Sequence, residues 1–258
     1  MIYYKTAEEI EKLRASNILV SKTLAEVAKY IEPGVTTGKL NILAEEYIRD
    51  NKAIPAFLGY NDYPKSICTS VNSQVVHGIP SSYILKDGDL VSIDCGVILD
   101  GYYGDTAYSF GVGIISEETE RLLRVTKESL FLGIEKAVVG NRVGDIGFAV
   151  QSYCEKAGYG VVRELVGHGL GKFLHEEPEI PNYGKRGTGI KLQKGLVICI
   201  EPMINMGKHR VIQEKDGWTI RTIDYKPSAH FELAVAVDYE KADILSTFAF
   251  IEEVLNKK

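Results

Sequence analysis

Four acidic residues occur where acids are costly. Asp94 lies inside Leu90-Val-Ser-Ile-Asp-Cys-Gly-Val-Ile-Leu99 and Asp105 inside Tyr102-Tyr-Gly-Asp-Thr-Ala-Tyr-Ser-Phe110, while Glu201 ends Leu196-Val-Ile-Cys-Ile-Glu201 and Glu232 sits in Phe231-Glu-Leu-Ala-Val-Ala-Val237. Apolar runs of this length and composition read as buried strands. An ionised carboxylate among such residues is unfavourable unless it is paired or bound to a cation. Taken singly, each acid has a plainer reading as a solvated strand end or hairpin charge. Four in one core would repel one another strongly, and two divalent ions would balance them.

Three of the five histidines fall in suggestive places. His168 and His175 belong to Gly167-His-Gly-Leu-Gly-Lys-Phe-Leu-His-Glu-Glu-Pro178, where glycines let the backbone come close and suit a loop or bent strand that aims an imidazole at a metal. His77 lies in Val75-Val-His-Gly-Ile-Pro80, a strand ending in turn residues. His209 and His230 are read as loop or strand-edge residues without a part in the chemistry.

The elements that must position these groups are visible in outline. Asp100-Gly101 is a strong two-residue hairpin signal between two β-patterned runs. With that turn Asp105 faces Gly96, two residues from Asp94 on the same face, so the two aspartates are diagonal neighbours roughly 7 to 8 Å apart. Thr6-Ala-Glu-Glu9 is a capping-box pattern, and Ile10, Leu13, Leu24, Val27, Ala28 and Ile31 recur at helical spacing until Pro33-Gly34. A second helix is expected from Thr36 or Thr37, burying Leu40, Leu43, Ala44, Tyr47 and Ile48, a third from Ser116 and a fourth from Asp145. Aligning the halves matches Gly34 to Gly140, Gly38 to Gly144 and Tyr47 to Tyr153, the pattern of a duplicated helix-turn-helix. A two-half architecture with its site at the pseudo-symmetric centre follows.

The chain has 258 residues, 45% hydrophobic and 25% charged, enough for a sizeable core, and no low-complexity linker divides it. A formal net charge of −5 lacks the basic excess that phosphate-backbone binding needs, so no nucleic-acid binding of its own is expected. There is no apolar signal-peptide core and no run approaching the roughly 20 residues of a membrane span, so the expectation is a cytoplasmic protein without membrane attachment. Cys68, Cys95, Cys154 and Cys199 are far apart with no CxxC pair, which reads as four reduced thiols.

Together these blocks resemble the methionine aminopeptidases of the short, single-domain type I, metallopeptidases of the M24, pita-bread kind. The resemblance rests on Gly59-Tyr-Asn-Asp-Tyr-Pro-Lys-Ser66 with Cys68, Ser70 and Asn72, then Val75-Val-His-Gly-Ile-Pro80, Ile93-Asp94, Asp100-Gly-Tyr-Tyr-Gly-Asp-Thr106, Gly167-His-Gly-Leu-Gly171, His175-Glu-Glu-Pro178, Ile200-Glu-Pro-Met203, Asp216-Gly-Trp-Thr219 and Glu232. It implies an α/β (α+β) pita-bread fold, a pseudo-twofold central antiparallel sheet flanked by helices. The expected layout is one catalytic domain over 1–258, built of halves at about 1–110 and 111–258. It further implies a dinuclear centre held by Asp94, Asp105, His168, Glu201 and Glu232, with Asp105 and Glu232 bridging, Asp94 chelating one ion, and His168 and Glu201 completing the other. The mostly oxygen ligands suit Mn, Fe(II) or Co and tolerate Zn.

By the same resemblance, a water held between the two ions loses its proton near neutral pH and attacks the carbonyl after the N-terminal residue. Glu201 acts as ligand and proton shuttle, His175 stabilises the oxyanion, and His77 contacts the scissile amide. Phe57, Tyr60, Tyr63, Cys68, Leu174 and Trp218 are the expected methionine pocket, Leu174 standing where the family often has an aromatic residue. A monovalent cation (Na or K) is implied near Asn72, Gln74 and Ser228. The substrate would be a nascent polypeptide beginning with Met and a small second residue, met near the ribosome by a monomeric enzyme. Rival readings are a proline-directed peptidase of the same fold, which normally carries a further N-terminal domain, and a catalytically inactive module of that fold binding ribosomes or other proteins, which would have lost metal ligands. Since Ile2 follows Met1, the mature protein should keep its own initiator; an intact mass corresponding to a chain starting at Ile2 would contradict the second-residue rule.

Overall fold

Thr6 starts the first helix in both senses of a capping box: its backbone N–H donates to Glu9 Oε2 at 3.0 Å and its hydroxyl oxygen accepts from Glu9 N–H at 3.3 Å. In the computed structural model, which describes residues 1–257, helix α1 runs from Ala7 to Ala28, and the chain turns before Pro33-Gly34 as its sequence implies. Lys258, the last residue of the expected second half, lies outside the described residues. Helix α2 (Thr37–Asp50) is capped by Thr36 and buries Leu40, Ala44 and Ile48, while Leu43 and Tyr47 are only half-buried. Helix α3 (Glu117–Ile134) is capped by Ser116. Helix α4 (Val143–Lys156) begins two residues before the expected Asp145, whose carboxylate instead caps it by accepting from Arg142 N–H at 2.8 Å. A short α5 (Ala249–Leu255) follows the last strand.

The strands fall in chain order as β1 (Ile54–Pro55), β2 (Ile67–Val71), β3 (Gln74–Val76), β4 (Leu90–Leu99) and β5 (Tyr102–Gly111), then β6 (Gly160–Val161), β7 (Gly167–Gly169), β8 (Glu176–Ile180), β9 (Val197–Ile200) and β10 (Met203–Asn205). After them come β11 (Val211–Gln213), β12 (Ile220–Thr222), β13 (Ser228–His230), β14 (Leu233–Ala236) and β15 (Asp243–Ile244). All ladder pairings are antiparallel. One sheet joins β1 and β2 to β4, with β5 on the other edge of β4; another runs β15-β14-β9-β7-β8. The smaller sheets are β13-β10-β6 and β11-β12-β3.

The two large sheets meet at β5. Ser109 Oγ accepts from His230 N–H at 2.9 Å and donates to the His230 carbonyl at 2.7 Å, and the Ala107 carbonyl accepts from Glu232 N–H at 3.0 Å. A serine side chain thus stitches the junction where an ordinary ladder is absent, which satisfies backbone groups that burial would otherwise leave unpaired.

The turns before α2 and α4 share one hydrogen-bond pattern. Gly34 N–H donates to the Leu85 carbonyl and Gly38 N–H to Ser81, while Gly140 N–H donates to Leu192 and Gly144 N–H to Thr188. Gly34 and Gly140 hold nearly identical φ values of 99° and 98°. A side chain is disfavoured at that φ, which explains glycine in both places.

Helix α1 lies unusually close to β5. Its buried stripe includes Ser16, Asn17, Ser21 and Thr23, small polar residues that satisfy themselves locally: Ser16 Oγ donates to the Tyr102 carbonyl at 3.0 Å and Asn17 Nδ2 to Leu13 at 2.8 Å. Asn17 Oδ1 accepts from Asp105 N–H at 3.1 Å, so the helix fixes the backbone of a candidate ligand. The approach is possible because residue 104 is glycine; a Cβ there would meet Ser16 C at 2.6 Å and Asn17 N at 2.8 Å, both backbone atoms. Gly104→Ala should therefore push α1 off β5 and cost about 1–3 kcal/mol. Urea denaturation checks this, and an unchanged midpoint would show that the contact is not limiting.

Candidate metal centre

The β4–β5 hairpin has the expected register, with Gly96 opposite Asp105 and Asp94 opposite Ala107, so the two aspartates are diagonal on one face. Both turn residues take positive φ, 50° at Asp100 and 79° at Gly101, as a tight primed turn requires. The second acidic pair comes from β9 and β14. Leu233 pairs with Ile200, which leaves Glu232 and Glu201 just past the same end of the ladder, so neither acid occupies a strand position in the strict sense. The bond from Glu232 N–H to the Ala107 carbonyl brings that end against Asp94 and Asp105. His168 sits on β7, whose pairing with β8 is irregular between Gly167 and Gly169.

These side chains line one open cavity of about 280 Å³. Donor atoms of Asp105, His168, Cys199 and Glu232 lie within 4.8 Å of one another, all buried. Asp94 and Glu201 border the same space. His168 Nδ1–H donates to the Gly169 carbonyl at 3.0 Å, which leaves the Nε2 lone pair facing Glu201 Oε1 at 3.6 Å and Asp105 Oδ2 at 3.8 Å. Asp94 Oδ1, Asp105 Oδ1 and Glu232 Oε1 are buried without a hydrogen-bond partner. Lone pairs facing lone pairs is the arrangement that cations resolve, and the donor set is a mixture of carboxylate and imidazole suited to them.

The electrostatics point the same way. Burial first, and then the neighbouring Glu232, Asp94 and Glu201, hold the Asp105 carboxyl well above its ordinary range. Burial followed by mutual repulsion likewise raises Glu201 and Glu232, and burial pushes Asp94 up to about 6. His77 is pushed down to about 4 and His168 to about 3, each chiefly by burial, so both imidazoles are neutral at ordinary pH, the form in which an imidazole such as His168 can bind a metal.

Around the acids stand the other residues expected in the site. Phe57, Tyr60, Tyr63, Cys68, His77, Leu174, His175 and Trp218 all line the cavity. His77 follows β3 with φ of 59°, a strained conformation for a non-glycine residue. The Tyr60 hydroxyl is 2.7 Å from His175 Nδ1. Tyr63 and Trp218 meet edge to face with ring centroids 5.0 Å apart, and the Tyr63 hydroxyl donates to the carbonyls of Ile67 and Gly78. Asp216 shapes the loop bearing Trp218 by accepting from the N–H groups of Trp218 and Thr219, each at 2.9 Å. Leu174 is buried against this wall. Asn72 and Ser228 are also neighbours, Ser228 N–H donating to the Asn72 carbonyl at 2.9 Å, while the Gln74 side chain folds back onto Val71 N–H.

The sequence reading missed several residues. Asn61, Val76, Leu165, Val166 and Met203 complete the cavity wall, and Cys199 reaches the acidic cluster. His230, read as a strand-edge residue, is instead 2% exposed with Nε2 3.6 Å from Glu201 Oε2. All four cysteines are free and buried, in line with reduced thiols.

Buried carboxylates and neutral imidazoles converging on one open cavity define a metallohydrolase-type centre. The pattern of metallopeptidase family M24 matches residues 11–238. A methionine aminopeptidase of Clostridium acetobutylicum is 50% identical over 247 residues, spanning 95% of this chain and 99% of that protein. The crystal structure of methionine aminopeptidase from Rickettsia prowazekii superposes with a TM-score of 0.94 at 45% identity, covering 96% of this chain and all of that one. The prolidase from Pyrococcus horikoshii superposes at 0.76 with 20% identity over 95% of this chain and 63% of its own, a likeness of fold alone. The chain belongs to metallopeptidase family M24 and, within it, to the methionine aminopeptidases, with their pita-bread fold. Members of this family use divalent metal ions.

Removing the metal should expose the repulsion among the acids. A carboxyl whose pKa is raised on folding contributes stability below its unfolded value, and that stability is lost as pH rises through the folded value, about 6 for Asp94; burial raises the other three in the same direction. Above roughly pH 6.5 the histidines are neutral folded and unfolded alike and do not offset this. The melting temperature of chelator-treated protein should therefore fall increasingly below that of Mn(II)-loaded protein as pH rises through about 6. Parallel curves with and without metal would argue against a shared cation site.

Proposed function

We infer that this protein removes the N-terminal methionine from polypeptides in a metal-dependent hydrolysis, acting on nascent chains with a small second residue. The observation that carries the reading is the placement of all five candidate ligands and both cavity-facing histidines in the one cavity that an aromatic and apolar wall closes. Asp94, Asp105, His168, Glu201 and Glu232 would hold two divalent ions, drawn from Mn, Fe(II), Co or Zn. Such ions supply Lewis acidity and make water a competent nucleophile near neutral pH.

The protein's own side chains do the rest. Phe57, Tyr60, Tyr63, Cys68, Leu174 and Trp218 take the methionine side chain; aromatic edges and a thiol suit a polarisable thioether. With the Tyr60 hydroxyl donating to His175 Nδ1, the imidazole carries its proton on Nε2 and can donate to the carbonyl oxygen as negative charge develops there. His77, held neutral, contacts the scissile amide. Glu201 accepts the proton of the attacking water and returns it to the leaving amine. The acidic centre also attracts the free α-ammonium of a chain terminus, which an internal peptide bond lacks.

The working unit we propose is one catalytic domain over 1–258 with pseudo-symmetric halves at about 1–110 and 111–258; the matched turns before α2 and α4 support it. A monovalent cation, Na or K, would bind at Asn72, Gln74 and Ser228. Among the described residues no helix is long and apolar enough to cross a membrane. A monomer working in the cytoplasm near the ribosome, without nucleic-acid contacts of its own, fits the net charge of −5. The inactive-module reading is not favoured, because every candidate ligand is retained.

Release of methionine by metal-free protein from Met-Ala-Ser and Met-Leu-Ser, with and without added Mn, Fe(II) or Co, tests the reading. Release should be metal-dependent, confined to Met-Ala-Ser and abolished in Asp105→Ala; a folded protein that releases nothing with any of the metals would return the inactive-module reading.

A further inference from the structure

His230 is the one buried histidine beside the centre that the proposed reaction leaves without a task. It ends β13, with its backbone pinned on both sides by Ser109 Oγ and its ring 2% exposed. Both ring nitrogens are buried and neither has a hydrogen-bond partner. An imidazole carries one donor and one acceptor even when neutral, so a buried ring with neither used is unfavourable. Such a ring at a site of chemistry calls for a partner.

The nearest polar atom to Nε2 is informative. Glu201 lies between two imidazoles: its Oε1 is 3.6 Å from His168 Nε2 and its Oε2 is 3.6 Å from His230 Nε2. The two rings differ in what holds their far nitrogens. His168 Nδ1–H is bound to the Gly169 carbonyl, so His168 Nε2 presents a lone pair to Glu201 Oε1. His230 Nδ1 meets no acceptor, so nothing fixes its proton there and Nε2–H is free to donate. At 3.6 Å that contact is too long for a hydrogen bond, and a shift of under about 1 Å by either side chain closes it.

We propose that His230 is a positioning residue for Glu201: its Nε2–H donates to Oε2 and holds the carboxylate in one orientation, with Oε1 left toward His168. A carboxylate that swings between ligand and carrier loses rate through misorientation, and a donor on its second oxygen prevents this without entering the reaction. The inference rests on the role assigned to Glu201 above.

The test uses the full-length protein loaded with zinc, a diamagnetic ion. Long-range ¹H–¹⁵N spectra of the zinc-loaded protein should show His230 protonated at Nε2. Turnover of Met-Ala-Ser should fall about 10- to 100-fold in kcat in His230→Leu at near-constant KM and unchanged zinc content. His230→Gln, whose amide can donate from a similar position, should recover to within about threefold of the parent. A ring protonated at Nδ1, a folded Gln variant as impaired as Leu, or the loss of one zinc from either variant would overturn the proposal, the last by making His230 a ligand. Should the Leu variant not fold, the ring spectrum and the Gln variant decide. Because the spectrum is read without turnover, failure of the methionine-release reading and failure of this one are distinguishable; Glu201→Gln with undiminished activity would remove the first and with it the need for the second.

Discussion

Like charge gathered in a place with little water is the constraint on which this molecule is organised. Asp94, Asp105, Glu201 and Glu232 come from two antiparallel ladders in different halves of the chain; burial raises the reluctance of all four to ionise, and Asp94 adds to it in the other three. Among the described residues no arginine or lysine lines the cavity to answer them. Such a group is unfavourable on its own terms and becomes favourable only with cations, so metal affinity and the integrity of the fold are two faces of one equilibrium. The packing around the site works in the same direction. Glycine at 104 and small polar residues on α1 let a helix backbone reach β5, and Asn17 then holds Asp105 by its amide.

The rest of the centre is built by rigid backbone rather than by flexible loops. Antiparallel ladders have a period of two, so one defined turn places every side chain that follows. The same logic serves β9 and β14, except that the acids stand one step beyond the last paired residues, where side chains turn toward the junction with β5. His77 after β3, His175 between β7 and β8, and Trp218 in the loop fixed by Asp216 lie on irregular segments. This division fits a site whose charge must be fixed while its walls admit and release a chain end.

Much of this was legible in the residues because it is governed by local rules. The Asp100-Gly101 turn gave the register of two ligands outright, and Thr6, Thr36 and Ser116 marked helix starts by side-chain chemistry. Asp145 misled by one element of the same rule, since an acid three residues into a helix and an acid at its start look alike in sequence. His230 and Cys199 escaped for a different reason. Nothing in Ser228-Ala229-His230 marks its ring as facing Glu201; that follows from a serine on β5 replacing a strand pairing, a contact between residues far apart in the chain. The pocket residues Leu165, Val166 and Met203 were likewise ordinary apolar residues until the two halves were brought together.

The order of the ligands along the chain has a consequence for biogenesis. Asp94 and Asp105 are made first, His168 and Glu201 after them, and Glu232 last, so the candidate centre is closed by the last of these to leave the ribosome. Bringing Glu232 onto Ala107 also closes a long loop, and topologies dominated by such distant pairings fold slowly. A chain made only as far as β5 therefore carries two of the five candidate ligands, and the cluster cannot assemble before Glu232 has been made.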